Sequence, residues 1–87
     1  MLNKFYSYPA KVIRDNEGYI LTFVDFPNDT PVEERSLPEL WASAKESLAL
    51  YIADYMANHK GKVPLPSYGK GDVIIGVTLE GIKTFMW

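Results

Sequence analysis

The stretch Tyr6 to Val24 constrains the fold more than any other part of the chain. Tyr6 to Arg14, which alternates apolar and polar residues, and Tyr19 to Val24, rich in aromatic and β-branched residues, flank the turn Asp15-Asn16-Glu17-Gly18. Asp and Asn favour local side-chain bonds to the backbone, and Gly supplies the positive φ that tight turns need. A four-residue turn pairs Arg14 with Tyr19. The ladder then sets Val12 opposite Leu21 and Ala10 opposite Phe23, which makes one apolar face. Lys11 opposite Thr22 and Ile13 opposite Ile20 make a mixed face. Such a hairpin needs a cover on one side only. Pro9 removes a ladder donor, so a bulge there, or regular pairing that starts after it, is expected.

The cover follows in the chain. Ser36-Leu37-Pro38-Glu39 reads as a capping box, with Pro38 harmless in the first turn. Leu37, Leu40, Trp41, Ala44, Leu48, Tyr51, Ile52, Tyr55 and Met56 then recur at helical spacing. This stripe predicts a long helix on the hairpin's apolar face, with Trp41, Tyr51 and Tyr55 as core residues. His59 and Lys60 suit the helix's last turn, and Gly61 stops it. Thr30 to Glu34 is expected to add a short third strand. Lys62 to Ser67 is an extended proline-rich connection. The nearly continuous apolar run within Asp72–Thr78 predicts a strand buried on both faces. Leu79 to Trp87 is expected to form a short helix capped by Thr78. The fold class is therefore α+β, in a single domain spanning 1–87.

The chain has 87 residues, no cysteine and a net charge of −2. Without cysteine there is neither a disulfide framework nor a thiolate metal site. Met1 to Phe5 lacks the apolar core of a signal peptide, and no apolar run is long enough to cross a membrane. A cytoplasmic protein is expected. Residues 15–54 carry nine acids and two bases, a balance of −7, whereas the remainder balances at +5. The bases are scattered without interleaved aromatics, which gives no nucleic-acid surface. The acidic middle would attract a basic partner.

Tyr8-Pro9-Ala10, the turn Asp15–Tyr19, Phe23-x-Asp25-Phe26-Pro27, the capped helix and Val63-Pro64-Leu65-Pro66-Ser67 occur in that order. In this the chain resembles HicB-type antitoxins over nearly its whole length. The resemblance implies a partial ribonuclease-H-like fold, with the last strand beside the first. It also implies a role: binding a HicA-type toxin, a small mRNA-cleaving ribonuclease, and covering its active site. Many such antitoxins continue into a DNA-binding domain. This sequence stops at Trp87, so direct operator binding by this chain is not expected.

An enzyme is the rival reading. Asp15, Asp25 and Asp72 are the carboxylates that a two-metal nuclease on such a sheet would use, but nothing in the sequence makes them converge. His59, the only histidine, reads as a helix-end residue rather than a general base. No catalytic residue, cofactor or metal is expected. Asp25, Phe26, Asp29, Glu33 and Glu34, an acidic loop beside apolar residues, are the expected toxin contacts. Leu79, Ile82, Phe85, Met86 and Trp87 close the chain on large apolar groups. They pack back on the domain, meet another chain or lead into a further segment, and they are the expected contacts of a homo-oligomer, a dimer or larger. A small self-associating domain without a toxin is the second functional reading.

Overall fold

The computed structural model describes residues 4–86. Three strands, β1 (Phe5–Asp15), β2 (Gly18–Phe23) and β3 (Val32–Glu34), precede the helix α1 (Leu37–Asn58). Strand β4 (Val73–Thr78) and helix α2 (Leu79–Lys83) follow it. The sheet is antiparallel throughout, in the order β3-β2-β1-β4. The layout is the α+β one expected, with the last strand beside the first.

The hairpin has the expected register: Arg14 faces Tyr19, Val12 faces Leu21 and Ala10 faces Phe23. Asp15 builds the turn, its Oδ1 accepting from the backbone N–H of Glu17 and of Gly18, both at 2.9 Å. Pro9 produces no bulge. Its carbonyl accepts from Val24 N–H, so its backbone faces β2 just beyond the end of that ladder. Opposite Ile74 it stands in a pair that needs no bond on the β4 side, and regular pairing with β2 begins just after it, at Ala10 and Phe23, the other outcome expected.

Tyr8, Ala10, Leu21, Phe23, Ile75 and Val77 point from the sheet into one core. Leu40, Ala44, Leu48 and Ile52 of α1 meet them there. Ser36 caps α1 by accepting from Glu39 N–H. The Glu39 carboxylate accepts a hydrogen bond from the Ser36 hydroxyl rather than from its backbone N–H. The helix ends before His59, and Lys60 and Gly61 carry the positive φ values that turn the chain away.

Three expectations are corrected. Trp41 and Leu37 are not core: each is 37% exposed, flanking the fully buried Leu40 and Ala44, and Trp41 lies beside the β4 edge of the sheet. β4 is buried on one face only, with Ile74 62% exposed, since helices cover a single side of the sheet. Its continuous apolar run reflects an exposed apolar face rather than a second cover. The terminal helix is shorter than expected and stops at Lys83, although Thr78 caps it as foreseen by accepting from Gly81 N–H.

Candidate functional site

The expected toxin contacts do not gather into one patch. Phe26 is 5% exposed and packs its ring against Tyr8, Phe23, Tyr51 and Tyr55. It is the hub of the aromatic core, and its surface is not available to a partner. Asp25 is engaged inside the chain. It accepts from Ser67 N–H at 3.0 Å and from Ser67 Oγ–H at 2.6 Å, and so clasps the 62–72 connection to the end of β2.

Asp29 is half-buried near Asp54. Burial first, and the Asp54 carboxylate second, push its pKa up. A carboxyl raised in the folded state contributes its full stability below the ordinary aspartate range, and loses it as pH rises through the raised value. Asp29→Asn should therefore melt higher than the parent at neutral pH and lack part of the parent's decline from acid to neutral. Melting temperatures across a pH series check this; parallel curves for the two proteins would contradict it.

Glu33 and Glu34 belong to a different neighbourhood. Glu34 faces Tyr19 and Glu33 faces Ile20 in the β2–β3 ladder. That register brings them to the end of the sheet where the β1–β2 turn carries Asp15 and Glu17. The four acids and Arg35 line one shallow open cleft. Asp15 is held by the turn, and Glu34 by a hydrogen bond from Ser43 Oγ–H on α1. Glu17 and Glu33 are exposed on this frame, whereas the carboxylates of Asp15 and Glu34 already hold the turn and Ser43, and Arg35 is the one base among them. Sequence reasoning missed Asp15 and Glu17 as members of this surface. Their signal was present: the hairpin register, extended to β3 by one antiparallel step, predicts the juxtaposition.

The carboxylates of a nuclease reading are apart and occupied. Asp15 serves the turn, Asp25 holds Ser67, and Asp72 Oδ2 accepts from Val12 N–H at 3.1 Å, where β4 has not yet begun to pair with β1. Among the described residues no group of three or more His, Cys, Asp or Glu is placed to hold a metal ion. His59 caps α1 at its C-terminal end. It stacks on Tyr55 with centroids 3.7 Å apart, and its Nδ1 bonds the Tyr55 carbonyl at 2.8 Å.

Of the aromatic residues at sheet positions, Tyr8 is buried, while Tyr6 and Tyr19 lie partly buried against the core. The Tyr8 hydroxyl donates to Pro64 C=O at 2.8 Å. Burial, with Asp25 nearby as the next cause, pushes its pKa up to about 12. It is a fixed strut, not an acid or base for chemistry at neutral pH.

No protein-family model matches this sequence, and no curated protein matches it. Among the described residues no helix is long and apolar enough to cross a membrane.

Of the expected oligomer contacts, Ile82 is fully buried in the chain's own core. Leu79 and Phe85 are half-buried, and Met86 is exposed. Trp87 lies outside the described residues. The tail therefore packs back on the domain through Ile82 and Phe85, one of the alternatives left open above.

Proposed function

We propose that this chain is a cytoplasmic antitoxin that acts by binding. It neutralises a basic, mRNA-cleaving toxin of the HicA type by covering the toxin's active site, and contributes no chemistry of its own. The observation that carries the reading is the acidic cleft of Asp15, Glu17, Glu33 and Glu34 at one end of the sheet. A ribonuclease that grips RNA presents cations where phosphates will lie. Carboxylates on a rigid frame can occupy those places, steer the encounter and set its register. The order of motifs along the chain supports the same assignment.

The experiment is co-expression with a HicA-type toxin. The parent should restore growth. The variant Asp15→Asn/Glu17→Gln/Glu33→Gln/Glu34→Gln should bind the toxin roughly 4-fold to several hundred-fold more weakly, at about 0.2–1 kcal/mol for each of the four rim charges. Amides keep the acceptor oxygens that Glu17 N–H, Gly18 N–H and Ser43 Oγ–H require, so the fold is retained. Full rescue by that variant, with unchanged affinity, would refute this surface.

Self-association is the second reading, favoured by the character of the β4 edge. A metal nuclease has no comparable support, since each of its candidate carboxylates is engaged locally.

A further inference from the structure

The sheet has two edges of unlike character. β3 is three residues long and carries Glu33 and Glu34. β4 is six residues, Val73-Ile74-Ile75-Gly76-Val77-Thr78, with no charge and no proline. Edge strands ordinarily carry such protection because their free N–H and C=O groups recruit other strands. Leu79 N–H donates to Lys4 C=O, and pairing alternates from there. The backbone groups of Val73, Ile75 and Val77 therefore face β1, while those of Ile74 and Gly76 face outward. On the side of the sheet away from the helices, where the 62–72 connection covers Pro9, Ile74 is 62% and Phe5 66% exposed. The Phe5 ring lies across Gly76, where an added Cβ would come within 2.2 Å of it.

We propose that β4 pairs antiparallel with β4 of a second copy of this chain about a two-fold axis. The register sets Ile74 against Gly76 of the second copy and joins two four-stranded sheets into one. A two-fold interface needs an edge complementary to itself, and this one is. Gly76 offers no side chain, so each Ile74 falls on the Phe5 ring of the other copy, and both exposed apolar groups are covered. No like charges meet across the new ladder. The same pairing through β3 would set Glu33 against itself. On the helix side Ile75 meets its counterpart at the axis. Beside it runs a groove lined by Trp41, Lys45, Ile74 and Gly76, which accounts for a tryptophan left on the surface. This pairing is independent of the acidic cleft.

Light scattering on the full chain should give twice its 9.9 kDa mass. Ile74→Pro should run as a monomer with an unchanged circular dichroism spectrum, because it deletes an N–H that points only to the second copy. Ile74→Glu, which keeps that N–H but sets a charge against Phe5, should also be monomeric and covers the case in which the proline variant fails to fold. In the parent, amide exchange at Ile74 and Gly76 should be slow and should quicken on dilution. Ile13→Asp, on the same face but away from the edge, should remain dimeric. A monomeric parent with rapidly exchanging Ile74 and Gly76 amides would overturn the proposal. So would a dimer that survives Ile74→Glu. Slow exchange at these amides only when an unrelated extended peptide is added would assign the edge to a foreign strand instead.

Discussion

Phe26→Ala is expected to lose about 3–5 kcal/mol of stability, the cost of truncating a buried phenylalanine. A chain of this length has roughly 5–10 kcal/mol in total, so the loss takes from about a third to all of its stability and the urea midpoint should fall steeply. The reason is the ring's position as a hub. Its centroid lies 5.2 Å from that of Tyr8 and 6.2 Å from those of Tyr51 and Tyr55, with 6.4 Å to Phe23. These partners come from β1, β2 and α1, so the cavity opens where three elements meet. The surrounding rings are themselves anchored, Tyr8 on Pro64 C=O and Tyr51 on Thr30 C=O, and cannot collapse into the space. Urea unfolding followed by circular dichroism measures the loss. A midpoint equal to the parent's would show that Phe26 is not the hub, and would return it to the list of surface contacts.

Gly18→Ala is the second large effect, expected at about 2–3 kcal/mol from backbone strain and overpacking together. Gly18 has φ +156, and a Cβ there would lie 2.4 Å from Glu34 O and 2.8 Å from Arg35 Cα. Both obstacles are backbone, so relief requires β3 to leave β2. Glu33 and Glu34 would then separate from Asp15 and Glu17. The variant should combine a lower urea midpoint with weakened toxin binding, while α1 keeps its helical signal. Unchanged stability would contradict the close approach of the two segments. Lost stability with full affinity would separate the acidic cleft from binding.

The hairpin and the long helix were legible in the sequence because their determinants are local. Asp15 and Gly18 specify a turn length, and turn length specifies register. Ser36 and Glu39 mark a helix start, and the stripe from Leu40 to Met56 marks a buried face. What failed depends on what lies across from a residue. The apolar run of β4 is the same whether a helix or solvent covers Ile74. Trp41 fits the helical period, yet the period carries no record of where the sheet ends beneath it. Phe26 follows the strand as a loop residue should, and only the return of α1 over it reveals a core position. Acids chosen by proximity in sequence, Asp25 to Glu34, divided among a clasp, a half-buried carboxyl and a surface. The surface was completed by Asp15 and Glu17, brought there by strand pairing.

Isothermal titration of the purified chain into a HicA-type toxin, at low and at high salt, tests the proposed role of the acidic cleft most directly. Parent affinity should fall as salt rises, since the contact is between opposed charges. The Asp15→Asn/Glu17→Gln/Glu33→Gln/Glu34→Gln variant should bind more weakly at low salt and respond less to salt. The same affinity and the same salt response in both proteins would contradict the account.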